Sequence, residues 1–373
     1  MLKMELDYQK NRKKVALYYP LGTKGANWSG LGGAEKRLTY LISHMNPDLF
    51  QISIVYRSYQ DCTSVLSLLK QYLSEKCRVV FVRNDLEAFK HFANEKYDVV
   101  LYDDCMVRTI PGVLGACIAK SRRVLIFVTV NYSKWMFKRK WHSLIMSFNI
   151  LLSNNIDCLY PSSKTKLTHI SRKPVTVTPC SLPHIEEYIN YNSKRENIIV
   201  FAARLVPEKN PMLLLHSVHI VQNLLRKHGF RVVICGDGYI KQEIEDKIKI
   251  YGLTDIVCCT GAINTKDMLL KARIFCSLQE EENYPSQSLL EAIASGCYCI
   301  ATNVGDTRLI VKPSFGVLIE KTADELSNAI SRAISFSDEQ CSLIEQAAKC
   351  YARDHFMPAN AIHHYEKICM DNR

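Results

Sequence analysis

Apolar residues recur along this chain in two alternating patterns. Short, nearly continuous runs sit at Val15–Tyr19, Ile52–Arg57, Val79–Arg83, Val99–Tyr102, Val124–Val130 and Cys158–Pro161. A second set follows at Ile198–Ala203, Val232–Cys235, Ile256–Cys259, Ile274–Leu278 and Tyr298–Thr302. Runs of this length and density predict strands buried on both faces of a parallel sheet. Between them lie segments with helical spacing. After Gly33, for example, Ala34, Leu38, Leu41, Ile42 and Met45 share one face. Strand and helix in alternation predict βαβ units. The pattern lapses between residues 179 and 196, at Pro179, Pro183 and the polar stretch Asn190–Glu196. Two doubly wound parallel sheets are therefore expected, with ligands beyond the carboxyl ends of their strands.

A length of 373 residues fits two domains better than one. Hydrophobic content of 47% and charged content of 23% are those of a folded chain. The 15 cysteines are scattered, with no C-x-x-C pair and no zinc-ligand spacing. Reduced structural thiols in a cytoplasmic protein are expected. The first residues, MLKMELDYQKNRKK, lack the apolar core of a signal peptide. No apolar run approaches the ~18 residues of a spanning helix. The net charge of +11 favours anionic partners. It reads as spread rather than clustered, and no nucleic-acid motif accompanies it.

The richest chemistry lies between Gln279 and Gly305. Glu280, Glu281 and Glu282 precede a tight turn at Tyr284-Pro285-Ser286-Gln287. A helix carrying Glu291 follows and ends at Gly296. Carboxylates accept hydrogen bonds from sugar hydroxyls, and a helix N-terminus favours phosphate. Arg204 and Lys209 stand on the loop after the strand Ile198–Ala203, where two cations suit a diphosphate. Taken alone, that loop reads as solvated surface charge; beside the Glu291 stretch the diphosphate reading is preferred. Gly236-Asp237-Gly238 is a tight turn after Val232–Cys235, a weak signal by itself. Gly30-Leu31-Gly32-Gly33 opens a helix after the first strand, and its glycines permit close approach of a ligand. It is not the G-x-G-x-x-G of a dinucleotide site.

The helix Leu289-Leu290-Glu291-Ala292-Ile293-Ala294-Ser295-Gly296, with the Arg204–Lys209 loop, resembles the retaining glycosyltransferases of family 4. The resemblance is specific over residues 198–311. It implies a GT-B fold, two Rossmann-like domains facing a central cleft. Residues 1–185 would bind the acceptor, 186–353 the donor, and 354–373 would form a helix returning to the first domain. The implied reaction moves a sugar, with retention, from a nucleotide diphosphate sugar to a hydroxyl of a glycan or polyprenyl-linked acceptor. Bacterial cell-surface polysaccharide synthesis is the implied setting.

On this reading Arg204 and Lys209 hold the diphosphate and Glu282 holds the transferred sugar. Gly32, Gly33, Gly236, Gly238, Tyr284, Pro285, Ser286, Gln287 and Glu291 line the nucleotide side. Glu291 takes the ribose, and Asn131 lies on the acceptor side. The family implies neither metal nor cofactor, and leaves uracil or guanine open. Eight residues separate Glu282 from Glu291, one more than the family pattern, so Glu281 and Asn283 also compete for the first acid position. Asn131 stands where many members carry histidine. Arg308 in Gly305-Asp306-Thr307-Arg308 replaces a glutamate and is expected to be a surface residue. Alternatives are a GT-B epimerase or phosphorylase, an NAD-dependent oxidoreductase, or a non-catalytic nucleotide- or nucleic-acid-binding protein; nucleic acid is not an expected partner.

Two further expectations concern helices. Tyr351, Phe356, Ile362, Tyr365 and Ile368 offer apolar groups for the returning helix after a break at Pro358. In Lys134–Leu152, the stripe Phe137, Trp141, Leu144, Ile145, Phe148, Leu151 and Leu152 is expected to pack on the sheet. Trp135, Met146 and Ile150 would then face outward beside Lys138, Arg139 and Lys140. That side suits peripheral contact with an anionic membrane on its inner face.

Overall fold

A computed structural model describes residues 12–20, 33–57, 67, 69–103, 108–128, 140–191 and 194–371. The chain divides into two compact units, Met1–Pro183 with Pro358–Arg373, and His184–Met357.

In the first unit the apolar runs become β1 (Lys13–Pro20), β2 (Phe50–Arg57), β3 (Arg78–Val82), β4 (Val99–Asp103), β5 (Arg122–Phe127), β6 (Asn155–Cys158) and β7 (Val175–Val177). They form one sheet in the order β3-β2-β1-β4-β5-β6-β7. Every pairing is parallel. Its helices are α1 (Gly33–Ser43), α2 (Asp85–Glu95), α3 (Ile110–Ile118), α4 (Lys140–Leu152), α5 (Pro161–Ile170) and the C-terminal Pro358–Met370. Leu38, Leu41, Ile42 and Met45 of the expected α1 face are buried, and so is Arg37. Asn84 caps α2 by accepting from the Glu87 N–H at 2.9 Å.

The expected strand Cys158–Pro161 lies three residues earlier, at Asn155–Cys158. Asn155 pairs with Val124 and Cys158 with Phe127. Pro161 instead opens α5, where its missing N–H costs no helical bond. The three residues of β7 are too short and too half-buried for an apolar run to reveal.

The second unit contains α6 (Glu186–Ile189), β8 (Glu196–Ala202), α7 (Pro211–Lys227), β9 (Arg231–Cys235), α8 (Lys241–Ile250), β10 (Val257–Gly261), α9 (Lys266–Lys271) and β11 (Ala272–Ser277). It continues with α10 (Gln287–Ser295), β12 (Tyr298–Thr302), β13 (Gly316–Ile319), α11 (Ala323–Ile334) and α12 (Asp338–His355). The sheet order is β10-β9-β8-β11-β12-β13, again all parallel. Leu214, Leu215 and Val218 of α7 pack with Ile199, Phe201, Val232 and Ile234 from the sheet in one continuous core. Ser337 and Gln340 close a capping box at the start of α12.

The C-terminal helix, α13 (Pro358–Met370), groups with the first unit. Of the residues expected to hold it, Tyr365 and Ile368 are buried and Ile362 is half-buried. Tyr351 and Phe356 differ from that expectation. Tyr351 is on α12, its hydroxyl donates to the Leu309 carbonyl at 3.0 Å, and Phe356 packs edge-on against it. Both residues therefore belong to the second unit, whose helix runs past residue 353.

Candidate active site

In the second unit, β8 lies between β9 and β11. The chain winds outward through β9 and β10, then resumes on the other side at β11. The sheet thus has its topological switch point between β8 and β11, where open α/β sheets bind ligands. Arg204 and Lys209 follow β8, and Gln279 to Glu282 follow β11.

Hydrogen bonds stitch these two loops together. Lys209 Nζ donates to Gln279 Oε1 at 2.7 Å. The Glu280 N–H donates to the Glu208 carbonyl at 2.9 Å, and Asn210 Nδ2 to Glu280 Oε2 at 3.1 Å. Gln279 is buried, and its carbonyl accepts from Thr302 Oγ1 at 2.7 Å, which ties in the end of β12. Lys209 is half-buried and Arg204 is exposed. Burial, reinforced by the neighbouring Arg204 charge, lowers the Lys209 ammonium to about 8. Lys209 therefore loses its proton as pH rises through about 8, and binding of an anion here should weaken over the same range. We expect kcat/KM to fall on that alkaline limb, and Lys209→Arg to move the limb out of range. An unchanged limb in Lys209→Arg would assign it to another group.

The three adjacent acids separate in space. Glu280 pairs with Lys321 at 2.8 Å and serves as a loop stitch. Glu281 is half-buried. Glu282 Oε1 accepts the Asp306 N–H at 2.8 Å. Gly305, at φ +50°, makes this approach possible, since a Cβ there would lie 2.2 Å from the Glu282 carboxyl carbon. The Glu282 carboxylate thus sits against the turn after β12. Arg308 on that turn is exposed, as expected of a surface residue.

The Tyr284-Pro285 peptide is cis, and Ser286 is the extended N-cap of α10. The first N–H groups of such a helix have no partners within it. Glu291, half-buried one turn on, accepts from Gln287 Nε2 at 3.2 Å. The N-terminal turn of α10 and both glutamates are thus carried on the β11-to-α10 segment.

Gly236 and Gly238 face their own chain. A Cβ on Gly236 would lie 1.9 Å from the Ala203 carbonyl oxygen, and one on Gly238 2.2 Å from that of Leu205. Leu205 N–H donates to the Asp237 carbonyl at 2.9 Å. These glycines let the β9 turn press against the Arg204 loop, so the loop's shape depends on them.

Gly33 begins α1. Gly32 and Asn131 lie outside the described residues, as do Trp135, Lys138 and Arg139. Sequence reading missed Gln279 and Asp306. Gln279 had a signal, a polar residue closing the apolar run Ile274–Leu278. For Asp306 it is the backbone N–H that acts, and no side-chain pattern reports that. Among the described residues, no group of three or more His, Cys, Asp or Glu could hold a metal ion.

Residues 186–350 match the family described as Glycosyl transferases group 1. The chain is 26% identical over 174 residues to the Campylobacter jejuni GalNAc-alpha-(1->4)-GalNAc-alpha-(1->3)-diNAcBac-PP-undecaprenol alpha-1,4-N-acetyl-D-galactosaminyltransferase. That alignment covers 46% of each protein, under half of the relative's length. It is 24% identical over 314 residues to the Escherichia coli UDP-Gal:alpha-D-GlcNAc-diphosphoundecaprenol alpha-1,3-galactosyltransferase, covering 76% of this chain and 80% of the other. The structure resembles that of Anabaena HepE in complex with UDP and glucose, with a TM-score of 0.76 at 15% identity. It covers 96% of this chain and 99% of that one, and the likeness shows the GT-B fold.

Proposed function

From a chain whose C-terminal unit belongs to the group 1 glycosyl transferases, we propose that this protein transfers a sugar from a nucleotide diphosphate sugar to a hydroxyl. The proposed acceptor is a glycan on a polyprenyl diphosphate, in bacterial surface-polysaccharide synthesis. The observation that carries this is the pairing, at the β8/β11 switch point, of two cations on one loop with acids and a helix N-terminus on the other. Cations and a helix start suit a diphosphate; carboxylates suit sugar hydroxyls. Both undecaprenol-linked relatives are named for lipid-linked acceptors, which supports that choice.

The hard step is departure of the nucleotide diphosphate from an oxocarbenium-like sugar. Negative charge grows on the phosphate oxygens as the anomeric bond breaks. Arg204, Lys209 and the first N–H groups of α10 stabilise it. The acceptor hydroxyl attacks the anomeric carbon on the face the diphosphate leaves, so configuration is retained. Its proton passes to the departing phosphate oxygen. Glu291 accepts from the ribose hydroxyls. Glu282, positioned by the Asp306 N–H, holds the transferred sugar. The reaction needs no metal on this reading.

The roles of the two acids separate in one experiment. Glu291→Gln should weaken binding of the bare nucleotide diphosphate and leave the chemical step nearly intact. Glu282→Gln should slow transfer and leave that affinity unchanged. Calorimetric titration with UDP and GDP, beside single-turnover rates, reads both. The reverse outcome would exchange the two assignments.

A further inference from the structure

The net charge of this protein is concentrated in one region. Residues 105–185 carry twelve Lys or Arg and one acid, Asp157, an excess equal to the +11 of the whole chain. The rest of the sequence is therefore balanced. Asp157 is fully buried, so it does not offset that charge at the surface.

This region builds β5, β6 and β7 with α3, α4 and α5. β4 to β7 step in one direction across the sheet, and right-handed crossovers then place all three helices on one face. α3 and α4 are in contact. That face is apolar as well as basic. Ile118 on α3 is 65% exposed, and Leu144 and Leu151 on α4 are 62% and 70% exposed. Leu114, Phe148 and Ile170 are exposed beside them in sequence. Lys120 and Arg172, both exposed, follow Ile118 and Ile170 by two residues, and Lys164 and Lys166 are exposed on α5.

The orientation of α4 departs from the sequence expectation, although Leu152 packs in the core as expected. Met146 is buried and the half-buried Ile150 packs with it against Phe127 and Ile156. Asn149 is also buried, and its carbonyl accepts from the Tyr102 hydroxyl at 2.8 Å. These residues fix the inner face, so Leu144, Phe148 and Leu151, expected inside, point outward. The stripe recurs at four and three residues along the helix, the spacing of one face.

We propose that the α3–α4–α5 face binds the surface of an anionic lipid bilayer. Large side chains enter the interface while flanking cations meet lipid phosphates. A nucleic acid would use the cations but gives no role to Leu144, Phe148 and Leu151. A second copy of the chain would bring its own positive face against this one. Charge complementarity therefore selects anionic lipid. The proposal rests on the lipid-linked-acceptor reading only for its purpose, since such an acceptor is held at a bilayer.

Flotation with phosphatidylglycerol–phosphatidylcholine vesicles tests it, using the full chain. The native protein should float with these vesicles and not with phosphatidylcholine alone. Leu144→Ser/Phe148→Ser/Leu151→Ser and, separately, Lys120→Glu/Arg172→Glu should each bind at least about tenfold more weakly, with unchanged melting curves. Absence of native binding, or full binding by both variants, overturns the proposal. So does conversion of a dimer to a monomer by the serine variant with vesicle binding retained. Binding to duplex RNA in place of vesicles, lost in Lys120→Glu/Arg172→Glu, would also overturn it. A UDP and GDP titration of the same preparation reads the donor site independently, so failure at one surface leaves the other assignment standing.

Discussion

Lys209→Ala and Arg204→Ala should each lower turnover on the order of 10²-fold while leaving the melting curve nearly unchanged. Both side chains sit on one short loop, and its backbone is held by bonds neither side chain makes. Leu205 donates to Asp237, and Lys209 N–H to the Val206 carbonyl at 3.0 Å. Removing either head group should therefore leave the loop in place. In the proposed reaction, what is lost is charge facing the leaving diphosphate, which matters most in the transition state. Lys209 has the further feature that burial and Arg204 already strain its charged form. An arriving diphosphate relieves that strain, so Lys209→Ala should also remove the alkaline limb near pH 8. Gln279→Leu offers a second view, because it frees Lys209 without removing it. Normal turnover in both alanine variants, with folding intact, would remove the diphosphate from this loop.

The second large effect is on stability. Deleting residues 358–373 should unfold the first unit or lower its melting temperature by more than ten degrees, on the order of several kcal/mol. α13 buries Ala361, Tyr365, Ile368 and Cys369 in that unit. It also bonds polar groups of that unit. His364 Nε2 lies 2.8 Å from Asp157 Oδ1, and the Tyr365 hydroxyl 2.8 Å from Thr178 Oγ1. Arg122 donates to the Ile368 carbonyl at 2.5 Å, Lys13 to the Cys369 carbonyl at 3.2 Å, and the Asn46 N–H to Glu366 at 2.7 Å. Without the helix, the fully buried Asp157 carboxylate loses its imidazole partner. Tyr365→Phe removes one bond and should cost only about 1 kcal/mol. A truncated chain with an unchanged melting curve would show that the helix adds little.

Most strands were legible because they are buried on both sides. Val99–Tyr102 and Tyr298–Thr302, for example, are apolar almost throughout. The placement of Arg204 and Lys209 after β8 and of Glu291 on α10 was legible, because each lies directly beyond an apolar run or within a helical pattern. Three things were hidden for physical reasons. Both sides of α4 are apolar, so periodicity could not tell the face of Met146 and Ile150 from that of Leu144, Phe148 and Leu151. Burial of Asn149, a polar residue held through its backbone, decided the matter. The packing of the glycines at 236 and 238 against Ala203 and Leu205 was hidden as well, since a G-x-G turn does not say which atoms exclude a Cβ. Finally, the charge asymmetry of residues 105–185 is composed of short, separated runs. It becomes meaningful once Lys120, Lys164, Lys166 and Arg172 are seen exposed on or directly after helices of one face of the sheet.

The most direct test of the account is product analysis with a panel of UDP- and GDP-hexoses and a polyprenyl diphosphate glycan acceptor. The account predicts that one sugar nucleotide yields free nucleotide diphosphate and a new glycosidic bond. NMR of the anomeric proton should show the donor's configuration retained, and Arg204→Ala should slow the appearance of both products on the order of 10²-fold. A folded native protein that binds neither UDP nor GDP and consumes no member of the panel would contradict it.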